Sequence, residues 1–319
     1  MAELTERQLV ERLRERFASA APGVQLGIGD DAAVLAPGAD AWVCSVDASV
    51  EGVHFDLRYL SLEDVGYRAF QAAASDLAAM GAAPSAALSS LILQRGMPRA
   101  GIDQLTLGQQ AASLACECPI VGGNLSRGKE LSVSTTVLGR VVRPLLRSGA
   151  RPGEQLWLVG RLGLAAAGLA CLRLGLGGTG SARQQAIAHC VRAWRRPRAL
   201  LVQGRELGTC ASSCIDVSDG LATDARQLAR ASGVRIVVEA APLRASLGAS
   251  LLGASRALGR APLQFALYGG EDYALLATGP SARRPSWATA IGRVTRGQGV
   301  VFERNGRSLP LGRGYDHLG

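Results

Sequence analysis

Two short stretches near the start of the chain end apolar runs in acid. GIGDDAAVL, from Gly27, carries Asp30 and Asp31; CSVDASVEGVHFD, from Cys44, carries Asp47, then Glu51 and Asp56 around His54. Further acids follow: Ser75-Asp76 in SDLAAMGA, Asp216 and Asp219 in CIDVSDGLATD, and Glu271-Asp272 in YGGEDY. Singly, each has a plain structural explanation, such as a helix N-cap at Asp219 or a turn at Asp30-Asp31. Together they point elsewhere. Asp30, Asp47 and Asp216 each lie at a strand-like run or an adjacent loop, where α/β proteins place ligands. Oxygen-only ligands without Cys or His partners select hard cations, Mg²⁺ above all. Several Mg²⁺ ions would relieve the repulsion among these carboxylates and in turn hold a polyphosphate. His54 is by default structural in a chain with three histidines, but beside such a site its imidazole could donate to a substrate oxygen.

Composition narrows the class. The chain has 319 residues, 48% of them apolar, enough for two domains of ordinary size. Mean hydropathy is +0.15, yet the most apolar run, Leu162 to Leu172, is short and flanked by Arg161 and Arg173, which excludes a membrane span. The N-terminal MAELTERQLVERLRERF is charged throughout and lacks a signal-peptide core. Seven cysteines without framework spacing read as reduced thiols, and the expected location is cytoplasmic. The net charge is +9, and every basic residue except Lys129 is arginine. These arginines are scattered, aromatics are only 4%, and no nucleic-acid motif is present, so the surface reads as solvated rather than nucleic-acid binding.

The elements that must position the acids are mixed. Thr5 to Gln8 forms a capping box before apolar residues at Leu9, Leu13 and Phe17. Strands are expected at AAVLA, AWVCSVD and VHFDL, and Ser61 caps a helix running to about Met80. A helix is expected over Asp103 to Ala115, then strands over 119–124 and 131–141. Turn signals in RSGARPGE place a domain boundary near Arg147. Beyond it the expected order is strand QLWLVG, helix LAAAGLACLRL, a helix through Cys190, strand CIDVS, a helix through Leu228, strand VRIVVEA, and strands around Phe265 and Tyr273. The fold class is therefore mixed α/β in two domains. Gly123 to Lys129 matches the first seven positions of a P-loop, but Glu130 stands where Ser or Thr must hold Mg²⁺, and a strand pattern follows where a helix must open. That motif is rejected.

The chain resembles the thiamine-monophosphate kinases of the aminoimidazole ribonucleotide synthetase-like superfamily. GIGDDAAVL, SVDASVEGVHFDL, SDLAAMGAAP, VGGNLSRG, RSGARPGE, IDVSDGLATD, GGEDYALL, IGRV and the terminal GYDH carry the resemblance, in the family's order, across nearly the whole chain. It implies two domains, 1–147 for ATP, metal and dimer contacts and 148–319 completing the cleft, with N-terminal domains of a homodimer pairing into a β-barrel. It implies ATP-dependent, Mg²⁺-dependent phosphorylation of thiamine monophosphate to thiamine diphosphate by direct in-line transfer. Asp30, Ser45, Val46, Asp47, Asp76, Asn124, Asp216 and Asp219 fall on metal positions. Gly123, Asn124, Arg147 and Ser218 fall on nucleotide positions. His54, Glu271 and Tyr315 fall on thiamine-phosphate positions, with a weaker claim for Asp31 and Asp272. Asp30, Asp47, Asp76, Asp216 and Arg147 would carry catalysis. Three departures touch the metal and nucleotide side. Asn124 replaces the family's aspartate, Val46 replaces a threonine, and Thr106 stands where a tyrosine is common. They leave two alternatives open: a relative with another acceptor, or a catalytically impaired nucleotide-binding paralogue.

Overall fold

A computed structural model describes residues 24–26, 33–35, 40–177 and 180–312. The expected first helix and the site positions Asp30, Asp31 and Tyr315 lie outside these residues. Two sheets organise the chain. The first contains β1 (Val24–Leu26), β2 (Ala33–Leu35), β3 (Ala41–Val50), β4 (Ala83–Gln94), β5 (Ile120–Gly128) and β6 (Ser132–Val141), in the order β1-β2-β3-β6-β4-β5. The second contains β7 (Gln155–Val159), β8 (Ser213–Val217), β9 (Arg235–Glu239), β10 (Ala274–Gly279), β11 (Thr289–Thr295), β12 (Gly299–Arg304) and β13 (Arg307–Pro310), in the order β13-β12-β9-β11-β7-β10-β8. Pairing is antiparallel except at β4/β5 and β9/β12.

Helix α1 (Leu62–Ala79) fills the space between the sheets. Ser61 caps it by accepting from Asp64 N at 3.1 Å, and Glu63 and Asp64 complement the helix dipole in the first turn. Its alanines give strong helix propensity and little bulk, so both sheets can approach closely. Ala73, Ala74, Leu77 and Ala78 meet Val43 and Val137 of the first sheet and Trp157, Cys214 and Leu275 of the second. Helix α2 (Arg99–Ala115) crosses α1 at two glycines. A Cβ on Gly66 would stand 1.9 Å from the Leu105 carbonyl oxygen, and one on Gly108 would stand 1.9 Å from that of Glu63. The other face of the second sheet, through Leu158, Ile215, Ile236 and Leu276, packs on the remaining helices. These are α3 (Leu164–Arg173), α4 (Ala182–Arg195), α6 (Leu221–Ser232), α7 (Ala240–Ser246), α8 (Ala249–Leu258) and α9 (Pro262–Tyr268), whereas α5 (Leu201–Leu207) joins the core around α1.

Two expectations are corrected. VHFDL is not a strand: Gly52 turns left-handed at φ 79°, Val53 and His54 N both donate to the Val50 carbonyl, and only an isolated bridge joins Glu51 to Phe55. Phe265 lies in helix α9, where Pro262 opens the first turn, and not in a strand. Other elements shift at their ends: α2 begins at Arg99, α4 runs past Cys190 to Arg195, and β5 extends to Gly128. The rejected P-loop motif is indeed extended backbone, within and just beyond β5. No helix among the described residues is long and apolar enough to cross a membrane.

The α1–α2 crossing yields a prediction. Gly66→Ala forces the two backbones apart and should destabilise the fold by about 1–3 kcal/mol or more, read as a lower calorimetric unfolding midpoint. An unchanged midpoint would show that the helices do not cross this closely.

Candidate active site

One cleft of about 920 Å³ opens where the first sheet meets the ends of β8 and β10. Asp47, Asp76, Asp216 and Asp219 all line it, although they come from β3, α1 and the loop after β8. Period-two alternation explains Asp47: Val43, Ser45 and Asp47 share the face of β3 that looks toward α1. Helical spacing explains Asp76, which shares one stripe of α1 with Arg68 and Ala72 at intervals of four. Asp216 is the fourth residue of β8, and Ser218 and Asp219 follow at its end. Side-chain hydrogen bonds tie the set together. Ser45 Oγ donates to Asp76 Oδ2, and Ser75 Oγ donates to Asp216 Oδ2 at 2.7 Å. Asp219 does not cap the following helix: Gly220 holds that position, and Asp219 N donates to Asp224 Oδ2 at 3.2 Å.

The donor set is all oxygen, as a hard cation requires. Among the described residues no three carboxylate, His or Cys groups converge as a ready-made metal cage. The arrangement still fits Mg²⁺, which takes one or two carboxylates and completes its shell with water and phosphate oxygens. Val46 also lines the cleft, but its side chain points to the opposite face of β3 and is 65% exposed. Gly123 and Asn124 are not brought into this cleft. They lie on β5, three strands from β3 and paired with Ser89 and Ser90 of β4, a separation from β3 of about 14 Å at ordinary strand spacing. Thr106 is exposed on α2 and bonds back to the Ile102 carbonyl at 2.9 Å. Arg147 is outside the lining too. Its Nη1 donates to Gln227 Oε1 at 2.8 Å, and Gln227 reaches Asp224, the residue that holds Asp219 N.

On the other side of the cleft stand His54 and Glu271. His54 Nδ1 accepts from Val50 N at 3.1 Å. Glu271 sits in a turn that lies directly on the Ser218 loop: Glu271 N donates to the Ser218 carbonyl at 2.6 Å, and a Cβ on Gly270 would meet that same oxygen. Both carboxylate oxygens of Glu271 are engaged, by Arg68 Nη2 and by Trp194 Nε1 at 3.0 Å. Burial alone would lower the Arg68 pKa; the surrounding groups, Glu271 foremost with Tyr273 and Asp47, together raise it. Arg68 also donates to the Trp194 carbonyl, and its guanidinium lies over the indole, 5.2 Å from the ring centroid. Arg68 and Trp194 were absent from the sequence-based set. The four-residue interval from Arg68 through Ala72 to Asp76 could have revealed the first; nothing local marks the second.

The same turn sends Asp272 in another direction. Its carboxylate accepts from Gly163 N at 2.6 Å and Ala165 N at 3.2 Å, at the N-terminus of α3. Helix α3 lines the cleft through Ala166, Leu169 and Ala170. Burial pushes the Asp272 carboxyl up to about 7, against the backbone donors and with help from Glu271. Because the folded-state value lies above the ordinary 3.8, the folded protein holds a proton that the unfolded chain has released. This contribution is fully present below about pH 4 and is lost as pH rises to about 7, by about 1.4 kcal/mol per pH unit within that window. Asp272→Asn should remove this slope. Unfolding midpoints measured from about pH 5 to about pH 8 should then fall more steeply for the parent than for the variant; parallel curves would refute the assignment.

The family model for AIR synthase related protein, N-terminal domain, matches residues 29–141. A thiamine-monophosphate kinase of Aquifex aeolicus is 33% identical over 278 residues, covering 86% of this chain and 89% of its own. That of Mycobacterium tuberculosis strain CDC 1551 / Oshkosh is 38% identical over 282 residues, covering 88% and 82%. The solved structure of AaThiL complexed with AMPPCP and TMP is 31% identical, covers 99% of both chains and has a TM-score of 0.89. Sequence kinship over most of both chains, with a backbone that superposes along its whole length, places this chain in the thiamine-monophosphate kinase family.

Proposed function

We propose that this protein transfers the γ-phosphoryl group of ATP to thiamine monophosphate, giving thiamine diphosphate. The observation that carries this reading is the composition of the cleft. Its acidic side gathers Asp47, Asp76, Asp216 and Asp219, while Phe55, Tyr59, Trp194, Phe265, Tyr268 and Tyr273 also line it. The chain has only four Trp, five Tyr and five Phe, so nearly half its aromatic side chains serve this cleft. Clustered carboxylates suit phosphates accompanied by cations, and aromatic faces suit a cationic heteroaromatic ring. A thiamine phosphate presents both.

The acceptor is a phosphate oxygen that is already anionic, so transfer needs alignment and charge compensation more than a strong base. Mg²⁺, when bound, would supply that compensation as a Lewis acid. Asp47, Asp76, Asp216 and Asp219 would hold it, with Asp30 as a further proposed ligand. Ser45 and Ser75 fix the rotamers of Asp76 and Asp216, so the carboxylates are oriented before substrate arrives. Glu271, fixed by Arg68 and Trp194, presents a neutralised pair to the cleft rather than a free charge. Attraction of the thiazolium therefore falls mainly to the aromatic walls. Direct in-line transfer is proposed, with no phospho-enzyme.

A homodimer is part of the proposal. The outer face of the first sheet leaves Val46, Leu88 and Ile92 open, at 65%, 40% and 39% exposure, and pairing with a second copy would cover them. Asn124 lies on that same face, in register with Ser90. Division into residues 1–147 and 148–319 is proposed on the same footing, with α1 as the element that joins the two.

Purified protein with Mg²⁺, ATP and thiamine monophosphate should release ADP and form thiamine diphosphate, while thiamine in place of its monophosphate should give no product. Asp216→Asn should lower kcat by about 100-fold or more with the unfolding midpoint retained. Nucleotide binding without ADP release would favour the impaired-paralogue reading, and turnover only with another phosphorylated acceptor would favour a different substrate.

A further inference from the structure

Tyr273 has a polar group that no other described residue uses. The residue is 8% exposed and lines the cleft, yet its hydroxyl has no hydrogen-bond partner among the described residues. Its backbone is left-handed at φ 49°, unfavourable for an aromatic side chain. A strained backbone therefore holds a phenol whose hydroxyl bonds no described residue, and phenylalanine there would fill the same space.

The strain comes from the turn that precedes β10. Gly270, Glu271 and Tyr273 all have positive φ, so consecutive side chains leave in unrelated directions. Glu271 meets Arg68, Asp272 meets α3, and Tyr273 enters the cleft. Tyr273 N is pinned to the Val217 carbonyl at 3.0 Å, beside Asp216. Burial acts most strongly on the phenol, and the charges of Arg68, Glu271, Asp47 and Asp216 also reach it. Carboxylates alone would be poor neighbours for a phosphate oxygen; a neutral donor among them is what such an oxygen requires.

We infer that Tyr273 is a catalytic residue whose hydroxyl donates a hydrogen bond to a non-bridging oxygen of the acceptor's phosphate, at the boundary between the acidic and aromatic parts of the cleft. The inference rests on the proposed kinase reading and adds to it a residue for the acceptor phosphate. It also makes the cleft selective for a phosphorylated acceptor, because the free alcohol would leave the hydroxyl unpartnered.

The test is Tyr273→Phe in the full chain. With saturating ATP, kcat/KM for thiamine monophosphate should fall by about 10- to 1000-fold, while KM for ATP stays within about twofold of the parent. The unfolding midpoint should be unchanged, since the lost hydroxyl bonds no described residue. In a binding readout independent of turnover, thiamine monophosphate should raise the parent's midpoint more than thiamine does, and the variant should lose most of that difference. Parent-like kcat/KM in a variant of an active parent overturns the role of Tyr273 and leaves the kinase reading intact. A parent that is neither turned over nor stabilised by thiamine monophosphate overturns both. A variant with equal losses toward ATP and acceptor overturns the assignment to the acceptor phosphate.

Discussion

Helix α1 has almost no face left for water. From Val65 onward nearly every residue is buried, with one sheet on each side. An ordinary helix in that position would be apolar all round. This one carries Arg68, Gln71, Ser75 and Asp76, and each buried polar group must find a partner or destabilise the fold by more than a typical hydrogen bond contributes. The partners come from distant parts of the chain: Glu271 and the Trp194 carbonyl for Arg68, Ala199 N for Gln71, Asp216 for Ser75, and Ser45 for Asp76. The condition that lets the sheets pack is thus the same one that orients the cleft.

This coupling explains why the site sits at one end of the second sheet. Strands β8 and β10 are antiparallel neighbours, so the loop leaving β8 and the turn entering β10 lie side by side. The turn reaches this position only because glycine at 270 brings the backbone onto the Ser218 carbonyl. Its left-handed residues then distribute three side chains among α1, α3 and the cleft. Local rules of propensity are broken here more than anywhere else among the described residues, with Glu271 and Tyr273 two residues apart at positive φ. Such violations persist where surrounding structure or function over-determines them.

Most regular elements were legible because their signals are local. Ser61 before an alanine-rich run, alternation along AWVCSVD and turn signals between runs need only neighbours in the chain. VHFDL and the Phe265 segment were misread for the same reason. VHFDL alternates as a strand would and the short run at Phe265 has no unique period, and the left-handed Gly52 and the helix-initiating Pro262 decided them. Within the site, Asp47, Asp76, Asp216 and Asp219 were legible as chemistry before any geometry existed, because only a few ligands suit oxygen-rich clusters. Gly123 and Asn124 were legible as a motif, yet the sheet order places them three strands from the aspartates of their own chain.

By itself the sequence determined the residue types of the cleft, the family to which they belong and the absence of a usable P-loop. Each of these depends on identity and spacing, which the chain carries directly. Only the tertiary structure decided how those residues are used. It turned Glu271 from a free countercharge into half of a part-buried pair, moved Arg147 outside the lining, made Asp272 a cap for α3 and set Tyr273 in the cleft wall. Those outcomes depend on residues brought together from far along the chain, such as Arg68 with Glu271, and on backbone angles set by close contacts. No local pattern encodes either, because the deciding neighbours are chosen by packing.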